Sequence, residues 1–350
     1  MAKGSIGLDV GSTAVRAAEV SLGGGQPALV RAAQVPLSNG AVENGEVRDV
    51  QAVGDAIREL WQRGGFKSRQ ATMGVGNQRA VVREVTVPAL PPKELRQSLP
   101  YQVQEMIPIP LDDAVLDYDV LDEFEQEGAR MVRLLVVAAQ RGMVTNMVEA
   151  AGQARVEPVG VDLVPFALIR SVGLDEGLNL DESGLGGEAI VDVGADVTNI
   201  CVHERTVARF VRILPSGGRD VTRALADALS VAEDEAESLK WGQSVPGAPA
   251  PAEVQAIVDR RAGVLVDEIR SSLDFYRAQM PDSEVTRVLV TGGGSKLPGF
   301  VERLGERMGG RVDRGHPFTK VSVQLQMDEE TMAEAEPLLA VAVGLALPRE

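Results

Sequence analysis

The sequence predicts an α/β protein built as two duplicated lobes, with an α+β subdomain inserted into the first. Three observations carry that expectation. The segment Ile6-Gly7-Leu8-Asp9-Val10-Gly11-Ser12-Thr13 returns as Ala189-Ile190-Val191-Asp192-Val193-Gly194-Ala195-Asp196, an offset of 183 residues from Asp9 to Asp192 and about half the chain. The length, 350 residues, exceeds what one hydrophobic core usually organises. Two Trp, three Tyr and seven Phe leave the core to Ala, Val and Leu, as in layered α/β proteins.

Each copy of the repeat is an apolar strand, an Asp-x-Gly turn and a second apolar run, Ala14 to Val20 in the first half and Thr198 to Val202 in the second. That is the pattern of a hairpin whose tight tip carries a carboxylate. A single such turn is common; two at a half-chain offset point to lobes of similar build. Between them, Val81 to Val87 reads as a strand ended by Pro88, and Pro91-Pro92-Lys93-Glu94-Leu95 opens a helix that ends before Ile107. Val115 to Leu121 and Arg130 to Ala139 alternate as strands around an acidic turn at Asp122 to Gly128. A helix from about Met143 to Ala154 and a strand at Val156 to Val161 complete a β-α-β-β-α-β order.

In the second half, Ile213-Leu214-Pro215-Ser216-Gly217-Gly218 precedes a helix with Val221, Ala224, Leu225, Ala228 and Leu229 on one stripe. Glu237 and Lys240 share a face of the next helix at a spacing that suits a surface ion pair. A Pro/Gly/Ala loop, Gly242 to Ala252, leads to a long amphipathic helix from about Glu253 to Met280. The strand Val288 to Thr291 then runs into Gly292-Gly293-Gly294-Ser295-Lys296-Leu297-Pro298-Gly299, and a helix starts at Phe300. Strand, glycine-rich turn and helix N-terminus offer bare backbone N–H groups to an anion or a flat ring. The spacing is neither GxxxxGK[ST] nor GxGxxG.

Composition removes other classes. Hydrophobic residues at 44% and charged residues at 25% exclude disordered, collagen-like and disulfide-scaffold chains. A formal net charge of −16 repels phosphate backbones, so nucleic acid is disfavoured as the main partner. Cys201 stands alone, which fits a reducing compartment, and His203 and His316 are too few for a His-rich metal site. No secretory h-region follows Met1, and the longest apolar run, Pro337 to Pro348, is shorter than the roughly 20 residues of a membrane span. A cytoplasmic location is the expectation. No GxSxG elbow is present and neither His has an evident partner, so nucleophilic hydrolase chemistry is disfavoured.

These pieces together resemble the actin-like ATPase superfamily, which includes actin, Hsp70, sugar kinases and the division protein FtsA. The resemblance implies the actin-like (ribonuclease H-like) fold, with two lobes closing over ATP or ADP. Within it, VREVTVPALPPKELRQSLPYQVQEMIPIPLDDAVLDYDVL and VAAQRGMVTNMVEAAGQARVEPVGVDLVPFALIRSV are similar to the type IV pilus assembly protein PilM family. The resemblance spans nearly the whole chain. It divides the chain into a first lobe (1–82 and 163–185), an inserted subdomain (83–162), a second lobe (186–240 and 283–350) and a helical subdomain (241–282).

The resemblance also assigns roles. The phosphate loops correspond to Asp9 to Arg16 and Asp192 to Asn199, and the adenosine motif to Val290 to Gly299. Gly11, Ser12, Thr13, Gly194 and Ala195 are expected to give backbone N–H groups to phosphate, with Arg16 adding positive charge and Asn199 closing the second loop. Asp9 and Asp192 cannot touch phosphate, but as carboxylates they can face Mg²⁺ and its water shell. Gly217, Gly218, Gly292, Gly293, Gly294 and Lys296 are expected to flank the adenosine, and Glu237 and Lys240 to reach its ribose and base. Asp162 is the candidate to orient a hydrolytic water, although it equally suits capping the helix near Pro165. Ala195-Asp196 departs from the small hydroxyl residues that relatives often carry.

The expected function is an ATP-binding scaffold with slow or absent turnover, serving pilus or secretion-system assembly. Its implied partner is the short cytoplasmic N-terminal tail of a membrane protein, PilN, held between the first lobe and the inserted subdomain. Other assembly components and self-association are further implications, and membrane association is expected through the partner. Leu95, Leu99, Val103 and Met106 form an apolar helix face that suits the subdomain's core better than a docking site. An FtsA-type division protein is the alternative, although the C-terminal EPLLAVAVGLALPRE lacks the basic polar face of a membrane-binding helix. A metabolite kinase is less favoured, because the first half shows no clear base.

Overall fold

The computed structural model describes residues 4–23, 25–173, 186–247, 249–281 and 283–349. Residues 174–185 of the expected first-lobe segment lie outside them.

The first half opens on β1 (Gly4–Val10) and β2 (Ala14–Ser21), an antiparallel hairpin that places Asp9 opposite Arg16, followed by β3 (Ala28–Pro36). A small ribbon, β4 (Val42–Glu43) and β5 (Glu46–Val47), leads to α1 (Val50–Gly64). The Asp49 side chain caps that helix by accepting from the Ala52 N–H, and Gly65 ends it in the left-handed region. Its buried stripe, Val53, Ile57, Leu60 and Trp61, lies at helical spacing. β6 (Gln70–Val75) then pairs parallel with β1.

The insertion follows as β7 (Ala80–Pro88), α2 (Pro92–Val103), β8 (Ala114–Gln126) and β9 (Ala129–Gln140), a three-stranded sheet in the order β7-β9-β8 under one helix. Leu95, Leu99 and Val103 are buried in its core, whereas Met106 is exposed. The turn expected at Asp122 to Gly128 is tighter. The ladder continues to Gln126, Arg130 pairs Glu123 at 3.0 Å, and only Glu127 and Gly128 turn, both at positive φ.

α3 (Arg141–Gln153) and β10 (Glu157–Leu163), expected in the insertion, belong instead to the first lobe. β10 pairs parallel with β6, and α3 lies along α1 in the first-lobe core. The insertion is therefore β-α-β-β and not β-α-β-β-α-β. α4 (Val164–Val172) follows β10 directly.

The second half repeats the plan. β11 (Gly187–Val193), β12 (Thr198–Glu204) and β13 (Val207–Leu214) form an antiparallel meander with Asp192 opposite Asn199. α5 (Gly218–Leu229), α6 (Glu233–Lys240) and α7 (Pro251–Gln279) come next, then β14 (Val285–Thr291), α8 (Phe300–Met308) and β15 (Arg311–Arg314). The five-stranded sheet runs β13-β12-β11-β14-β15. α7 shares one apolar core with this sheet through Val258, Leu265, Ile269 and Leu273, so the segment expected as a separate helical subdomain is packed into the second lobe.

The chain then returns to the first lobe, which corrects the expected division at 283–350. β16 (Ser322–Val323) pairs with β3, completing the six-stranded order β10-β6-β1-β2-β3-β16. α9 (Glu329–Ala346) lies across β1 and β2. The approach is close enough to need glycine: a Cβ on Gly7 would sit 2.0 Å from the Ala342 carbonyl, and one on Gly344 would sit 1.9 Å from that of Ala167. α4 and α9 thus fill the space between the two sheets, in a shared core with Ile190, Cys201 and Leu289. Among the described residues no helix is long and apolar enough to cross a membrane.

Candidate functional site

The two hairpin tips face one cleft, a cavity of about 660 Å³ lined from both lobes. At each tip the glycine amide closes the turn: Gly11 N–H donates to Ala14 at 3.1 Å, and Gly194 N–H donates to Val197 at 2.9 Å. Those glycines give room rather than donors. The amides between the closing bonds, of Ser12, Thr13 and Ala195, are the ones placed to meet an anion.

Behind the tips stand the carboxylates. Arg16 is 3.7 Å from Asp9, and Asn199 Nδ2 donates to Asp192 at 3.0 Å. Burial pushes both acids above the ordinary carboxylate range. In Asp9 the nearby Arg16 charge opposes that shift. In Asp192, burial lifts the value to about 6, opposed by the Asn199 hydrogen bond and reinforced by the charge of Asp9. The acceptor of the same amide, Asn199 Oδ1, is buried with no partner among the described residues.

Beside the second tip, Lys240 is buried and donates to Glu237 at 2.6 Å, to Thr222 at 2.9 Å and to the Gly218 carbonyl at 3.3 Å. Burial lowers the Lys240 ammonium, partly offset by Glu237. Burial raises the Glu237 acid, but hydrogen bonds from Lys240, Thr222 and Trp241 outweigh it and hold the group below its ordinary range. Trp241 donates its indole N–H to Glu237 at 2.8 Å and carries the Lys240 ammonium over its ring at 5.0 Å. The pair that reads from sequence as a surface ion pair is therefore half of a cleft-facing cluster. Gly292, at φ +83°, starts the third glycine turn, and Gly293, Gly294 and Lys296 line the wall beside it. Gly292 N–H and the Thr291 hydroxyl both donate to the Pro337 carbonyl, which ties this turn to α9.

Of the expected residues, Asp9, Gly11, Ser12, Thr13, Arg16, Asp192, Gly194, Ala195, Asn199, Gly218, Glu237, Lys240, Gly292, Gly293, Gly294 and Lys296 all line the cleft. Gly217 does not line it. A Cβ there would sit 2.5 Å from the Ala195 carbonyl, so its bareness lets α5 dock on the second tip. Asp162 is also outside the lining. Its carboxylate is held by Arg170 at 2.6 Å and Arg349 at 3.4 Å and accepts from the Leu163 amide, which leaves it neither facing the cleft nor capping α4. Arg219, Thr222 and Trp241 line the cleft without having been legible in sequence, as do Pro337, Leu338 and Val341 from α9. Thr222 and Lys240 are placed by helices that converge only in the fold.

Duplicated α/β lobes, facing Asp-x-Gly hairpins and a third glycine turn across one cleft define an actin-like protein. A solved PilM-PilN type IV pilus biogenesis complex is similar at 28% identity and a TM-score of 0.85, covering 98% of this chain and 97% of that one. The family model for type IV pilus assembly protein PilM matches residues 7–350, and the chain belongs to that family. It is also 27% identical to cell division protein FtsA of Pseudomonas aeruginosa over 98% of this chain and 88% of that protein. MreB5 of Spiroplasma citri, solved bound to ADP, shares the fold at a TM-score of 0.52 and 12% identity, over 98% of this chain and 94% of that one.

Proposed function

We propose that the chain is a nucleotide-dependent scaffold of type IV pilus assembly, binding ATP or ADP with Mg²⁺ in the cleft and docking the N-terminal tail of a PilN-like membrane protein. The observation that carries the nucleotide reading is the convergence on one cleft of both hairpin tips, the Lys240–Glu237–Trp241 cluster and the Gly292 turn. The tips suit phosphates, whereas Lys240, Trp241 and the bare turn suit a ribose and a flat base. Mg²⁺ fits the donor set. Two carboxylates largely withdrawn from water, whose desolvation resists ionisation, would be relieved by a divalent cation, and the unpartnered Asn199 Oδ1 suits a metal-bound water. Bound there, the ion neutralises phosphate charge. With Asp162 engaged elsewhere, binding rather than turnover is the activity this site favours.

The partner reading rests on two strand edges without a neighbouring strand among the described residues, β10 in the first sheet and β8 in the insertion. Their charges act on one another. The Asp119 carboxyl on β8 is raised by burial, by Asp117 and by Asp162 of β10, and lowered by Arg349, which pairs with Asp162. Val120 and Val159, on the two edges, are exposed, so an extended peptide can gain both a backbone ladder and apolar contacts. Calorimetric titration with MgATP and MgADP, and a pull-down with a synthetic PilN-type tail, test the two halves separately. No binding of either nucleotide removes the first, and no retention of the tail removes the second.

A further inference from the structure

Arg219 does more than line the cleft. It is the second residue of α5, and its amide donates to the Ala195 carbonyl at 2.8 Å, which fixes the helix start to the second hairpin tip. From there the guanidinium reaches between the tips. Nη1 donates to Asp196 at 3.0 Å, and Nη2 donates across the cleft to the Ser12 carbonyl of the first tip at 3.3 Å. Both charged side chains are largely buried, with exposures of 11% and 6%. The arrangement is incomplete on the acid side, because the other Asp196 oxygen, Oδ1, is buried with no partner among the described residues. A guanidinium has five N–H donors in a planar fork, so it can hold Asp196 and still meet another anion.

The position matters. The Lys240 cluster meets the second tip through Gly218, whose amide donates to the Gly194 carbonyl and whose own carbonyl accepts from Lys240. Arg219, the next residue, reaches from there to Ser12 of the first tip, so a polyphosphate extending from the cluster in between the tips reaches Arg219 with its last group. We propose that Arg219 is the residue by which the cleft distinguishes a nucleoside triphosphate from a diphosphate, and that Asp196 is the competitor that holds it when the terminal phosphate is missing. The inference rests on the nucleotide reading of the cleft. A terminal phosphate carries more charge than one carboxylate and matches the fork, so it draws the guanidinium away from Asp196 while the Ser12 contact keeps the two tips together. A diphosphate stops short, and the Arg219–Asp196 pair persists.

The test is calorimetry on the full chain with MgATP and MgADP, each titrated separately. Arg219→Gln is expected to weaken ATP by about tenfold or more and ADP by no more than about twofold, while Asp196→Asn strengthens ATP several-fold. Arg219→Lys, which keeps charge but loses the fork, falls between wild type and Gln and serves as the folded variant if Gln proves unstable. Equal weakening of both nucleotides in the Arg219 variants, or no change in either, overturns the proposal while leaving the nucleotide reading intact. A wild-type chain that binds neither nucleotide overturns that reading and this inference with it, and does so before any variant is made.

Discussion

The two hairpin tips have the same backbone plan and different chemistry. In the first, the residue opposite the aspartate is a cation, Arg16; in the second it is a neutral amide, Asn199. Arg16 lowers the pKa of both carboxylates, whereas Asn199 acts on Asp192. The second tip has instead become an anchor. Its Gly194 and Ala195 carbonyls accept the first amides of α5, and Asp196 holds Arg219. Duplication supplied two equivalent turns, and divergence gave charge compensation to one and positioning to the other.

The largest expected effect comes from removing the acid on the weakly compensated side. Asp192→Asn is expected to lower Mg²⁺–nucleotide affinity by about a hundredfold, measured by calorimetry. It should at the same time raise the melting temperature of the metal-free chain at neutral pH, because a buried charge disappears and the Asn199 contact can persist through an amide. A variant that lost affinity and stability together would place Asp192 in the fold's support rather than in the site.

Next is Arg16→Gln. If Arg16 serves both tips, nucleotide affinity falls by about tenfold and the acid at Asp192 becomes harder to ionise, so binding needs a higher pH. An affinity loss without a pH shift would confine Arg16 to the first tip.

The tips also differ in space. A Cβ on Gly194 would sit 2.7 Å from the Val197 carbonyl, while one on Gly11 would meet nothing closer than 3.2 Å. Gly194→Ala is therefore expected to cost about 2 kcal/mol in urea unfolding and Gly11→Ala under about 1 kcal/mol. Equal costs would mean that the second turn relaxes as freely as the first.

How much of this is legible in sequence follows from what each feature depends on. The paired Asp-x-Gly turns are readable because the hairpin is local and its repeat recurs at Asp9 and Asp192. The sheet joined by β10 is not, since the run Val156 to Val161 is apolar in either sheet and its pairing with β6 is set 87 residues away, as between Gln70 and Glu157. α9 escapes for the same reason. Its return to the first lobe depends on Gly7 and Gly344 allowing backbones to touch, which no periodicity encodes. Arg219 looks like any charged residue at a helix start, and only the fold brings it to Ser12. Asp162 shows the converse: its place at the crossover is suggestive, but Arg170 and Arg349 converge on it from elsewhere in the chain.

The smallest effect on affinity, and the sharpest separation of the tips, is in pH. Asp192 moves from an ordinary 3.8 in the unfolded chain to about 6 in the fold. Below 3.8 both states hold the proton. Between 3.8 and about 6 the folded chain keeps a proton that the unfolded chain has lost, so stability falls as pH rises through that window and is level above it. The full difference is about 3 kcal/mol at neutral pH. About 2 kcal/mol of it is read as the change in stability between about pH 4.5 and 7.5 in chelator, wild type minus Asp192→Asn, which cancels other titrating groups. On the proposed reading, nucleotide binding with Mg²⁺ is expected to run the other way, because it would use the ionised acid, gaining about fourfold between about pH 5.5 and 7.5. Opposite signs for stability and affinity, both abolished by the same substitution, would tie the destabilising charge of the second tip directly to its function. Parallel signs would mean that the proton lost in this range belongs to another group.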